Sequence, residues 1–336
     1  MTVIQQPVPQ PAPMVELWRG DRVESRHCGH AVIAHADDGI VAAWGDPGAV
    51  IYPRSACKMV QALPLVESGA ADGLTDERLA LACASHQGAA LHVRTVARWL
   101  SDIGRDAQDL RCGAHWPRDP EERDGLIRAG AEPCQMHNNC SGKHTGFLML
   151  ARHLRAGPDY VEPDHPVQRA VRAAFEEVTG EVSPGHGIDG CSAPNFATSL
   201  AGLARAMAFF AAADPGGDSR NRAACRLWRA MLARPELVAG EGRACTELMR
   251  ATGGRAVLKT GAEGVFVAII PERRMGLAVK IADGATRASE AAITALLQHL
   301  GVLEAGHPAA RKRLDAVQRN WRGLETGMLR AAPGFP

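Results

Sequence analysis

The sequence has almost no net charge, with 38 lysines and arginines against 37 aspartates and glutamates. Without a basic surplus it carries no electrostatic footprint for nucleic acid, and it has no acidic tail. No uninterrupted apolar run reaches membrane-spanning length, because Arg, Asp or Gly breaks the longest windows. The first fourteen residues, MTVIQQPVPQPAPM, lack the basic start and apolar core of a signal peptide and read as a disordered, proline-rich leader. No internal repeat is visible. Nine cysteines follow no regular framework, which argues against a disulfide scaffold and for a reducing, cytoplasmic setting. Most of them read as buried small hydrophobes, so a conspicuous pair becomes a metal or catalytic candidate.

What remains is an ordinary globular composition, 46% hydrophobic and 22% charged. Residues 15–52 hold short β-rich runs, with Asp37-Asp38-Gly39 as a hairpin turn between His30–Ala34 and Ile40–Trp44. From there to about residue 250 the pattern is helical, with helices expected near 141–155, 165–178, 194–213, 220–233 and 243–252. Residues 104–139 are polar and rich in Gly, Pro, Asp and Arg, and read as loop or short helices. Strand-like runs return at 256–258, 265–270 and 276–281, followed by a helix at 285–300. Strands at both ends with helices between predict an α+β fold: a sheet domain from residues 15–54 and 255–336, and a helical domain over 55–254 with the active site at the junction. The tail beyond Gly306 is basic and then Gly/Pro-rich, and shows no legible element.

The chemistry begins at Tyr52-Pro53-Arg54-Ser55-Ala56-Cys57-Lys58, which reads as a helix entry. Ser55 and Lys58, three residues apart, share a helix face and form a possible nucleophile and base if burial leaves the lysine neutral. Alone this pattern is common. Lys259-Thr260-Gly261 at a late strand end adds a second cleft-facing lysine, and Ser85-His86-Gln87 falls between helices in the order of serine β-lactamases and penicillin-binding proteins. Gln87 stands where those enzymes carry Asn. Two further stretches lie outside that pattern. Asn138-Asn139-Cys140-Ser141-Gly142-Lys143-His144 and Asp189-Gly190-Cys191-Ser192-Ala193-Pro194-Asn195 each read as opening a helix, which would lower both cysteine pKa values and suit zinc. Spacing alone leaves His144 or His137 as the third ligand.

Together, Tyr-Pro-Arg-Ser-x-x-Lys, Cys-Ala-Ser-His, His-Asn-Asn-Cys-Ser-Gly-Lys-His, Asp-Gly-Cys-x-x-Pro-Asn and Lys-x-Gly-Ala-Glu-Gly resemble, in this order, the rhizobial-type (class 3, thermolabile) L-asparaginases, among them those of Rhizobium etli. The resemblance runs from about Val23 to Leu300. It implies a β-lactamase-like fold with a terminal antiparallel sheet, a homodimer, and hydrolysis of L-asparagine to L-aspartate and ammonia. It further implies Ser–Lys tandems of Ser55 with Lys58 and Ser85 with Lys259, and one zinc per chain held by Cys140, Lys143 and Cys191 with a water. On this reading Ser55 is the first choice of nucleophile, and Ser85 with Lys259 carries protons. Arg54 would meet the substrate carboxylate and Asp189 or Glu263 its ammonium, with His86 and Asn195 nearby. The alternatives on the same scaffold are a glutaminase, a β-lactamase or D,D-peptidase, and a non-catalytic amino-acid sensor.

Overall fold

A computed structural model describes residues 10–336. The chain opens with strands β1 (Ala12–Arg19), β2 (Arg22–His35), β3 (Gly39–Trp44) and β4 (Val50–Ile51). A 3-10 turn at Arg54–Cys57 leads into helices α1 (Lys58–Gln61), α2 (Leu63–Glu67), α3 (Asp76–Ala82), α4 (Ala90–Asp102), α5 (Pro120–Ala129), α6 (Ser141–His153) and α7 (Pro166–Thr179). A hairpin of β5 (His186–Ile188) and β6 (Pro194–Phe196) and a short β7 (Thr198–Ser199) precede α8 (Leu200–Ala212), α9 (Ser219–Ala233), α10 (Pro235–Val238) and α11 (Ala244–Ala251). The chain closes with β8 (Val257–Thr260), β9 (Val265–Ile270), β10 (Met275–Ile281), α12 (Thr286–His299), α13 (Pro308–Arg311), β11 (Ala316–Arg319) and β12 (Glu325–Ala331).

The fold is α+β, as the alternation of patterns predicts. Eight strands form one antiparallel sheet in the order β11-β12-β1-β2-β10-β9-β8, with β3 also paired to β2. The fourteen-residue β2 spans two neighbours on one edge: its first half pairs β1 and its second half pairs β3. Its other edge pairs β10, which brings the N-terminal and C-terminal strands into one sheet. Every residue of β9 is buried, with α8 and α12 packed against it, so its unbroken Val/Ile/Phe run reflects burial on both faces. No helix among the described residues is long and apolar enough to cross a membrane.

Three expectations differ from this outcome. The strand β1 starts at Ala12, three residues inside the expected leader, and Met14 is fully buried; residues 1–9 of that segment lie outside the described residues. The helix expected from 194 starts at Leu200, capped by the Ser199 hydroxyl, while Pro194–Phe196 is strand. The unreadable tail supplies β11 and β12, which extend the sheet beyond β1.

Candidate active site

Three elements meet where the 3-10 turn faces the end of β8. Gly261, just past β8, makes the approach possible: a Cβ there would lie 2.8 Å from the Pro53 carbonyl oxygen and 3.2 Å from the Ala56 nitrogen. Beside them runs the extended Ser85–Ala89 segment between α3 and α4, anchored by Ser85 N–H to the Val238 carbonyl and His86 N–H to that of Asn139. The helix α6 opens at Cys140, and the β5–β6 hairpin carries Cys191 in its turn. Cys191 therefore sits in a hairpin turn, where a helix start was expected.

The chain has only five lysines, and three of them, Lys58, Lys143 and Lys259, are buried here. The Lys58 ammonium donates to the Ala84 carbonyl at 2.5 Å, to Ser85 Oγ at 3.0 Å and to Cys140 Sγ at 3.1 Å. Lys259 Nζ lies 2.9 Å from Ser85 Oγ and 2.6 Å from the Thr260 carbonyl oxygen. Burial pushes Lys259 down from 10.5 to about 7, so half of it is neutral near neutral pH. Ser85 is thus wedged between two lysines. The expected bond from Lys58 to Ser55 is not formed: Lys58 turns to Ser85, and the Ser55 hydroxyl makes no hydrogen bond among the described residues. Ser55 is half-buried and faces the cleft.

That cleft, of about 400 Å³, is lined by Arg54 and Ser55, by Cys140, Asp189 and Cys191, and by His115, Trp116 and Arg118. The last three lie in the polar 104–139 stretch, ahead of the motif that opens at His137, and no motif covers them. An exposed tryptophan beside two basic side chains in a loop was the one available signal. Arg54 Nε and Nη2 donate to Asp189 Oδ1 at 3.1 and 2.9 Å, so a cation and an anion stand together on the wall. Arg54 has φ +52°, a strained value for a side-chain-bearing residue. Asn195 holds it, accepting from Arg54 N–H at 3.0 Å and donating to its carbonyl at 3.3 Å. Asn195 therefore supports the wall from behind. His86 is buried against Ser141 Oγ and stacked on His92, and Glu263 is exposed, so neither lines the cleft.

Around Cys191 the charges are organised. The hydrogen bond shared by the two side chains pushes the Cys140 thiol well up and the Cys191 thiol well down. Burial opposes the charge on Lys143, but the sulfurs of Cys191, 3.1 Å away, and Cys140 outweigh it and raise the ammonium pKa. Burial lowers His144 to about 4; its Nδ1 is hydrogen-bonded to the Tyr160 hydroxyl at 2.9 Å, and its buried Nε2 has no hydrogen-bond partner among the described residues. Two thiols, one amine and an unpartnered imidazole nitrogen fit a borderline-soft divalent ion such as zinc. Among the described residues no group of three or more His, Cys, Asp or Glu is placed to hold a metal, so lysine would have to be a ligand.

A search of curated proteins finds no match. Among solved structures the chain is similar to a beta-lactamase/D-alanine carboxypeptidase from Pseudomonas syringae, at 12% identity over 81% of this chain and 93% of that one, TM-score 0.42. It is similar to a beta-lactamase from Mycobacterium bovis at 13% identity, over 82% and 95%, TM-score 0.38. It is also similar to the protein titled Mglu, at 13% identity over 87% and 69%, TM-score 0.47. The model of one family, described as L-asparaginase II, matches residues 15–331, and the chain belongs to that family of amidohydrolases.

Proposed function

We propose that the protein hydrolyses L-asparagine to L-aspartate and ammonia by acyl transfer through a serine activated by lysine. The observation that carries this reading is Ser85 Oγ at 3.0 and 2.9 Å from two buried lysine nitrogens beside a cleft lined by a second serine. Ser55 is the hydroxyl on the cleft and attacks the side-chain amide carbon. The Ser55 proton passes through the Ser85 hydroxyl to Lys259, neutral above about pH 7 and 2.9 Å from Ser85 Oγ, and returns by the same route to the amide nitrogen as it leaves as ammonia. Water then releases aspartate. The paired Arg54 and Asp189 offer complementary charges to the α-carboxylate and α-ammonium of an amino acid. Of the backbone groups near Ser55 and Lys259 that could meet the developing oxyanion, Ala56 N–H is already engaged with the Pro53 carbonyl and Gly261 N–H with that of Val265.

A second reading has Ser85 itself attack, and its two lysine contacts favour it. An electrophilic asparagine analogue, a diazoketone in place of the side-chain amide, separates the two by peptide mapping of the labelled serine. Label on Ser55 with slow turnover in Ser85→Ala supports the first. Label on Ser85 with persistent labelling of Ser55→Ala overturns it.

Within the family, the order of the five motifs supports the rhizobial type, and with it a homodimer. Cys140, Lys143 and Cys191 would hold zinc, the metal replacing the protons of the Cys140 thiol and Lys143 ammonium. Bound there, zinc would supply a Lewis-acidic contact for a substrate oxygen or nitrogen.

A further inference from the structure

Gln87 lies two residues beyond Ser85 and is buried. Its carbonyl accepts from both Arg118 N–H at 2.8 Å and Asp119 N–H at 2.9 Å. Its side-chain amide donates to Asp119 Oδ2 at 2.9 Å, while Asp119 Oδ1 accepts from Glu122 N–H at 3.0 Å and caps α5. The Gln87 side chain is also shaped from behind. Gly240, at φ +116°, lies so close that a Cβ there would stand 2.4 Å from Gln87 Cδ. The loop that Gln87 grips carries His115, Trp116 and Arg118, one wall of the cleft. At its other end His115 Nδ1 donates to the Trp116 carbonyl at 2.8 Å and His115 Nε2 accepts from Asn139 N–H at 2.9 Å. The loop is therefore fixed at two points, one beside Ser85 and one beside Cys140.

We propose that Gln87 is a positioning residue for substrate binding, setting the distance between the His115–Arg118 wall and the Ser85 segment; this rests on the asparaginase reading of the cleft. Gln87 touches neither the serines nor the lysines, so its loss acts on the fit of the substrate more than on the proton transfers. No substitution removes the Gln87 backbone carbonyl, and the side-chain bond to Asp119 is the part a mutation can address directly.

Gln87→Glu keeps the shape and sets a carboxylate against that of Asp119. The repelled loop moves off the segment, and KM for asparagine rises roughly tenfold, the loss of one charge-assisted bond, with kcat changed less than about threefold. Adding Asp119→Asn restores every bond: Asn Oδ1 keeps the Glu122 cap and Asn Nδ2 donates to the new glutamate. KM of the double variant therefore returns towards wild type. Hydrogen–deuterium exchange gives a readout independent of turnover, since the Arg118 and Asp119 amides bonded to Gln87 exchange faster in Gln87→Glu and recover in the double variant. If Gln87→Glu does not fold, Gln87→Ala is read in the same way. An unchanged KM, a fall in kcat alone, no change in exchange, or no rescue overturns the proposal. If the wild type releases no ammonia from asparagine, the functional reading fails while exchange still reports on the clamp.

Discussion

Replacing Lys259 by methionine should abolish turnover and stabilise the fold, and the two effects share one cause. Lys259 is fully buried and its pKa falls from 10.5 to about 7, chiefly because burial penalises the charged form. An unfolded lysine stays protonated until about pH 10.5, so between about pH 7 and 10.5 the unfolded chain binds more protons than the native one. Stability from this group therefore rises with pH across that window and is lost as pH falls towards 7. The cost at pH 7 is about 4 kcal/mol, and at about pH 9.5 it is about 1 kcal/mol. Methionine removes the cost along with two hydrogen bonds, each worth about 1 kcal/mol net. The expected net gain at pH 7 is roughly 2 kcal/mol, and it shrinks by about 3 kcal/mol by pH 9.5, changing sign. Urea unfolding of both proteins at the two pH values measures this directly. The change with pH does not depend on how the lost hydrogen bonds are valued. A stability difference that stays constant with pH would refute the burial argument, and with it the neutral base. In the wild type, kcat/KM should rise with pH through about 7 and level off, because the base acts only when neutral.

Asn195→Ala frees the strained Arg54 backbone that Asn195 holds by two bonds, and should raise KM several-fold and cost about 1–3 kcal/mol, measured by asparagine titration and thermal melting. Gly261→Ala drives a methyl into the Pro53 carbonyl, so the 3-10 turn and β8 must separate; kcat should fall with a loss of about 1–3 kcal/mol, read from initial rates and urea midpoints. Cys191→Ala removes the sulfur that accepts from Lys143 and should purify with far less zinc than wild type by elemental analysis; stoichiometric zinc in the variant would rule out the three-residue ligand set.

The sheet and most helices were legible because period and burial agree: β9 is a continuous apolar run and is buried at every position. Where one face of an element meets solvent beside polar residues the signal fades. Thus β11, with Val317, Gln318 and Arg319 all exposed, reads in sequence as a tail, and its pairing with β12 is what makes it a strand. The error at Cys191 has a different origin. Pro194 near an apolar run reads as a first helical turn, but it occupies a short hairpin paired Ile188 to Pro194, where a strand outside the main sheet tolerates proline. At the serines, spacing put Ser55 and Lys58 in one neighbourhood but not in one bond. The turn between them is 3-10 up to Cys57 and α from Lys58, and the amine leaves along a direction that ends at Ser85, 27 residues away.

The use of lysine itself follows from this site. Of 38 basic residues only five are lysines, and three of those are gathered around two serines and two cysteines. Arginine makes nearly all of the surface ion pairs among the described residues, such as Arg255 with Glu272 and Arg274 with Asp37. Arginine could fill space and carry charge in the interior, but it cannot give up its proton in a protein, whereas a buried lysine shifts readily to its neutral form. On the proposed reading the Ser85–Lys259 pair uses that property to accept a proton, whereas Lys143, whose pKa is raised, would give up its proton only in exchange for a metal beside Cys191. An amine that can lose its charge is thus what the proposed reading asks of both positions, through burial at Lys259 and through metal binding at Lys143. It also predicts that Lys259→Arg, which keeps the charge and much of the length, is as inactive as Lys259→Met without its gain in stability at pH 7.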